Sequence, residues 1–174
     1  MTHLLLRLSR LLDMVNAAVG AVAMWLALGM VLVQFGIVVL RYVFGMSSIF
    51  ISETEMYMHA ALFMLGAGYT LLHDGHVRVD IFYGSMSRRR RAAIDLAGTV
   101  LFLVPTCVVL LIYTWPYVQA SWAIREGSIS VGGIPASYLL KSLIPAFAVL
   151  LLIQGLALAL RNLALILEPP EEGA

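Results

Sequence analysis

Residues 52–80 read SETEMYMHAALFMLGAGYTLLHDGHVRVD, and the pattern in this stretch decides the fold class. It opens with carboxylates, crosses an uncharged run from Met56 to Leu72, and leaves through histidines and a glycine. That run is about the shortest that crosses a hydrocarbon core as a helix. Ser52, three residues ahead of Glu55, has the spacing of a capping box and predicts a helix start there. Glu53 and Glu55 also lie where the positive end of the helix dipole favours anions. Gly75 is placed to stop the helix. At about 100° per residue, Glu55, His59, Leu62, Gly66, Tyr69, Thr70 and His73 fall on one stripe. Tyr57, Met58, Ala61, Met64, Leu65, Gly68, Leu71 and Leu72 fall on the other side. Lipid satisfies neither a carboxylate nor an imidazole, so the polar stripe predicts a face that meets protein.

Working outward, the whole chain has a membrane composition. With 61% hydrophobic and 12% charged residues it is no ordinary soluble domain. Its 174 residues leave room for about four spans with short loops. A net charge of +1 speaks against a nucleic-acid partner, and Cys107, the single cysteine, excludes an internal disulfide or a thiolate metal cluster. The expected class is an all-α membrane protein with four transmembrane helices.

Residues 1–13 mix leucines with Arg7 and Arg10, the pattern of an amphipathic helix lying at the membrane surface. A transmembrane domain over 14–161 then holds spans at about 14–40, 53–72, 92–113 and 138–160, and 162–174 form an acidic tail. The first span is too long for a signal-peptide core and reads as an uncleaved anchor. Asn16, Gly20, Ala23, Ala27 and Gln34 share one of its faces, a small-and-polar stripe suited to helix packing. Arg41 closes it where a cation complements the dipole. Pro105 predicts a kink in the third span, after which Tyr113, Trp115, Tyr117 and Trp122 form an interfacial aromatic cluster. Val77 to Tyr83 alternates too briefly to separate an extended segment from a short interfacial helix. Of the 11 Lys and Arg, eight fall on the amino-terminal tail, the second loop and the carboxy-terminal tail, which places both termini in the cytoplasm.

Each polar cluster has a plain and a sharper meaning. Arg41 with Glu53 and Glu55 is either helix capping or an ion-pair cluster at the outer surface that touches a partner. His59, one turn after Glu55, is placed for an i, i+4 hydrogen bond. A haem site needs a second histidine on a facing helix, and His73 is about 21 Å away along the same helix. The run His73, Asp74, Gly75, His76, Val77, Arg78, Val79, Asp80 matches no zinc spacing. It reads as a helix stop and an interfacial segment, with Arg78 and Asp80 available to a neighbouring chain. Arg88, Arg89, Arg90 and Arg91 mark the cytoplasmic face and attract anionic membrane lipid. Lys141 sits at a helix start, where the dipole disfavours a cation. It therefore either snorkels or pairs with an acid, Glu126 being nearest in sequence and Glu53 or Glu55 lying at the same level. No span carries a charge at mid-membrane, which argues against a transport path within this chain alone.

Arg41-Tyr42-Val43-Phe44, Ser52-Glu53-Thr54-Glu55 and HAALFMLGAGYTLLHDGHVRVDIFY resemble the small membrane subunit of tripartite ATP-independent periplasmic (TRAP, DctQ-type) transporters. The likeness continues through Ser121-Trp122, Glu126-Gly127-Ser128, Gly132-Gly133-Ile134-Pro135 and Lys141-Ser142. It implies a non-enzymatic, multi-pass subunit of the bacterial inner membrane. Such a subunit carries no cofactor of its own and braces a large multi-span permease that holds the sodium and substrate sites. It further implies a periplasmic substrate-binding protein docking on the outer face near Arg125 and Glu126. Carboxylates are the implied cargo, the later motifs resembling the branch for 2-oxo and 2-hydroxy monocarboxylates. Candidate interface residues are thus Arg41, Glu53, Glu55, His59, Gly66, His73, His76, Arg78, Asp80, Arg125, Glu126 and Lys141. Two other classes compete. A redox-enzyme anchor needs facing haem histidines, and a small multidrug exporter needs an acid within the first span.

Overall fold

The structure is a computed structural model and describes residues 2–76, 83–84 and 86–168. Among these residues every regular element is helical. Helix α1 spans Thr2–Phe44, α2 Ile49–Leu72, α3 Arg88–Gly98, α4 Val104–Ala123 and α5 Ser137–Leu167, with a π-helical turn, Thr99–Leu103, joining α3 to α4. Three of these stretches are long and apolar enough to cross a membrane: Thr2–Phe44, Arg88–Ala123 and Ser137–Leu167. Helix α2 has the length, about 36 Å at 1.5 Å per residue. It is less apolar because Glu53, Glu55, His59 and two tyrosines sit within it.

Several boundaries differ from expectation, each for a local reason. No break separates residues 1–13 from the first span, since Ser9 packs inside the bundle and carries the helix on. Helix α1 stops after Arg41, at Phe44, where Gly45 adopts a left-handed conformation (φ 65°) that a Cβ disfavours. The cap of α2 is Ser48 rather than Ser52. The Ser48 hydroxyl accepts from the Ile51 amide, while the Ser52 hydroxyl only donates back to the Ser48 carbonyl. At its other end Asp74, not Gly75, takes the left-handed position (φ 54°). The amides of Asp74 and Gly75 return to Leu71 and Thr70, closing a Schellman motif.

Pro105 acts upstream of itself. A proline lacks the amide for an i→i−4 bond and its ring crowds the carbonyl four residues earlier. The helix widens into the π turn just before it, and the Val104 amide donates to Thr99, five residues back. The helix then runs past Tyr113 through the aromatic residues to Ala123, with a second proline, Pro116, inside. The fourth helix likewise continues beyond 160, to Leu167.

Helix α5 is the centre of the molecule, packing on α1, α2, α3, the π turn and α4, whereas α2 and α4 do not meet. Facing pairs give the directions. Gly20 lies under the Tyr69 ring and Gly29 under Met58, so α1 and α2 are antiparallel. Trp122 reaches Ser142 while Leu103 covers Gly155, so α4 and α5 are antiparallel too. One end of the bundle carries the α1–α2 turn and the α4–α5 connection (the loop end). The other carries residues 2–15 and the last turns of α5 (the termini end).

Buried groups lie along these seams. Gly20, Ala23, Ala148 and Ala157 let backbones approach closely, as small residues do between membrane helices. At the termini end a polar junction ties α1 to α5. Asn16 donates to the Leu150 carbonyl (3.3 Å) and to Gln154 (3.0 Å), and Gln154 donates to Asp13 (2.9 Å). Asp13 also pairs with Arg161 (3.1 Å). The side-chain oxygen of Asn16 rests on Gly68 of α2, where a Cβ has no room.

Candidate functional site

The loop end gathers most of the charged residues singled out in the sequence. The connection between α4 and α5 runs from Ile124 to Ala136 and crosses over the start of α2. It is held there by Glu53. One carboxylate oxygen accepts from the Ser128 hydroxyl (2.5 Å) and the other from the Ile134 amide (2.6 Å). Gly133 presses against the same carboxylate so closely that no Cβ fits. The pinned loop is uncharged from Gly127 to Ala136, and its tip carries Ile129 and Val131, 100% and 94% exposed.

Beside it stands a second carboxylate. Glu126 accepts from Lys141 (2.5 Å) and from the Ser121 hydroxyl (2.6 Å). The Lys141 ammonium also sits 4.1 Å from the centroid of the Tyr117 ring. These contacts, the Lys141 hydrogen bond first and Ser121 next, hold the Glu126 carboxyl below its ordinary value of 4.5. Trp122 completes the arrangement, donating to Ser142 (2.8 Å) and meeting the Tyr138 ring edge-on. Of the acidic partners open to Lys141, the fold selects Glu126, because the turn after α4, closed by the Glu126 amide on the Ser121 carbonyl, lays that side chain over the first turns of α5.

Glu53, Glu126 and Lys141 line a cleft of about 930 Å³ between α2 and α4, floored by α5. Arg41 lines it as well, from the end of α1. The expected ion-pair cluster of Arg41 with Glu53 and Glu55 is not formed. Glu53 is engaged by the α4–α5 loop, and Arg41 is exposed with no ion pair among the described residues. Glu55 and His59, although one turn apart, make no hydrogen bond with each other, and His59 points outward. Arg125 is exposed in a left-handed conformation (φ 49°) at the corner after α4.

The stripe expected to pack α2 against protein is not the stripe that packs within this chain. The buried residue of α2 is Gly68, on the opposite side, whereas nothing lies within 4 Å of the Cβ position of Gly66. Tyr69 is the exception, covering Gly20 and lying 4.3 Å from the His73 ring. His73 and His76 are exposed at the termini end. Arg78 and Asp80 lie outside the described residues, as do Val77 to Phe82 and most of the acidic tail. Arg88, Arg89 and Arg90 project from the start of α3, while Arg91 turns inward to the Met86 and Gly84 carbonyls and over the Tyr83 ring. The local sequence pattern does not disclose the Asp13–Gln154–Arg161 junction. Its one readable sign is Gln154, a lone amide in an otherwise apolar stretch of α5.

The arrangement offers paired charges, a pinned loop and broad apolar surface, the equipment of an assembling subunit. No curated protein matches the chain. The family model described as "Tripartite ATP-independent periplasmic transporters, DctQ component" matches residues 30–165, more than three quarters of the sequence. That span takes in α2, the π turn, α4, the pinned loop and the full paired-charge cluster, and the chain belongs to the DctQ component family of tripartite ATP-independent periplasmic transporters.

Proposed function

We propose that this chain is the small permease subunit of a sodium-coupled secondary transporter that imports organic acids across the bacterial inner membrane. It braces the scaffold of a large multi-span permease and helps a periplasmic substrate-binding protein dock at the loop end. The sodium and substrate sites belong to the large subunit, so the chain needs no cofactor. Family membership is the observation that carries this reading. Two features support it. The Asp13–Arg161 and Glu126–Lys141 ion pairs close within the chain. Meanwhile α1 and α4 turn long apolar rows outward, including Trp25, Leu32 and Phe35 on one and Val109, Ile112 and Trp115 on the other. Surfaces of that kind suit a lipid-facing or subunit-facing wall. The cargo class follows the likeness of Ser121-Trp122, Gly132-Gly133 and Lys141-Ser142 to the branch for 2-oxo and 2-hydroxy monocarboxylates. Affinity purification from native membranes tests the assembly. The tagged chain brings down a large hydrophobic subunit, and recovery of the chain alone refutes the bracing role.

In this reading α2 is a fourth span and both termini are cytoplasmic. A four-residue turn joins α2 to α1, and the two pack antiparallel along their lengths. A helix held along a membrane-crossing partner crosses with it, and its polar groups then face protein. Single cysteines introduced into a Cys107→Ser background test this with a membrane-impermeant thiol reagent. Positions in the α1–α2 turn and the α4–α5 loop are labelled from the periplasm, and positions at both termini only after the membrane is opened. Termini on opposite sides remove the fourth span.

A further inference from the structure

The cleft at the loop end has a charge pattern that internal pairing does not explain. Among its charged residues, Lys141 and Glu126 neutralise each other. Arg41 and Glu53 remain, one cation and one anion, neither in an ion pair among the described residues. The donors on Glu53 are all neutral, the Ser128 hydroxyl and Ile134 amide with the Ser130 side chain alongside, and a carboxylate has about four lone-pair sites, so it keeps capacity for one further donor. Below this polar mouth the walls are apolar. Met56, Ala60 and Met64 of α2 face Leu143 and Ile144 of α5, over about 12 Å of helix. The cleft also opens sideways, because α2 and α4 do not meet.

A mouth with one matched cation and anion above an apolar slot complements a zwitterionic amphiphile. We propose that the cleft binds a phospholipid with a primary-amine headgroup. Its phosphate lies on Arg41, its ammonium on Glu53, and one acyl chain follows Met56, Ala60 and Met64. The guanidinium suits a phosphate through its fork of donors, and the ammonium supplies the donor that Glu53 can still accept. This assignment rests on α2 crossing the bilayer, which the thiol-accessibility experiment decides separately.

Native mass spectrometry of the full-length chain, titrated with phosphatidylethanolamine or phosphatidylglycerol, tests the proposal. Phosphatidylethanolamine is retained at severalfold lower concentration than phosphatidylglycerol. Arg41→Gln weakens its retention about tenfold, as loss of one charge-assisted contact does. Glu53→Gln, which keeps a carbonyl acceptor toward the loop, removes the preference between the two lipids. Equal retention of both lipids by the unaltered chain, or no effect of Arg41→Gln, overturns the proposal. A photoreactive phenylalanine at position 60, irradiated in native membranes, gives an independent result. A lipid adduct supports the site, whereas an adduct to another protein assigns the cleft to a partner helix and overturns it.

Discussion

Single side chains at two sites illustrate how much environment decides. Glu126 and Lys141 are unremarkable until the return after α4 brings them together, side chains 28% and 19% exposed, with Ser121 and Tyr117 alongside. Because the Glu126 carboxyl lies below 4.5 in the folded chain, its contribution to stability is fully present above that value and is lost as the pH falls through the folded value. Glu126→Gln therefore lowers the melting temperature by a few degrees near neutral pH, and the gap to the unaltered chain closes below pH 4.5. Thermal melts across that range check it, and a gap that widens in acid contradicts the assignment. Glycines make the second contrast. Gly68→Ala forces a methyl against Asn16 and the Leu150 carbonyl, 3.3 Å from its Cβ, and is expected to cost about 1–3 kcal/mol. At Gly155 the nearest obstacle, at 2.7 Å, is a terminal methyl of Leu103, the far end of a flexible side chain, so alanine there is expected to be tolerated. Denaturation of the two variants side by side distinguishes an obstacle held by hydrogen bonds, as Asn16 is, from the free end of an apolar side chain.

At the level of elements, the α4–α5 loop and the π turn show distant residues setting local shape. Residues 127–136 contain two adjacent glycines and no charge, a composition that by itself specifies no single path. Glu53, more than seventy residues earlier, supplies the missing constraint through Ser128 and Ile134. Glu53→Ala leaves the helices intact and accelerates amide exchange at Ile134 about tenfold or more, the scale of a lost charge-assisted hydrogen bond. Unchanged exchange there shows that the loop is held by other contacts. In the third helix, Pro105 was legible as a disturbance, but the form it takes was not. A proline is relieved by a kink, a break or a π turn alike. The seam formed by Thr99 and Leu103 on Gly155 of α5 accompanies the π form.

For the molecule as a whole, α5 is the post on which all other helices hang, and the polar junction at the termini end locks α1 to it. Gln154 is fully buried and serves both Asn16 and Asp13. Gln154→Leu leaves an amide and a carboxylate short of partners and is expected to cost about 1–3 kcal/mol. It should also loosen α1 selectively, seen as faster exchange over residues 9–23 with α4 unchanged. Uniform loosening of every helix argues against a discrete junction.

The sequence by itself determined the helical class, the family and the small-residue seam of α1 at Asn16, Gly20 and Ala23. Each is written in composition or in local order, which survive without knowledge of neighbours. The tertiary structure decided which polar groups meet. Whether Glu53 pairs with Arg41 or holds the distant loop depends on where an uncharged connection of low intrinsic preference comes to rest. Which face of α2 packs inward depends on the register of Gly68 against Asn16 and Leu150, residues about fifty and eighty positions away along the chain. Local periodicity carries no information across such separations, because contact geometry arises only once α5 has gathered the other helices around it.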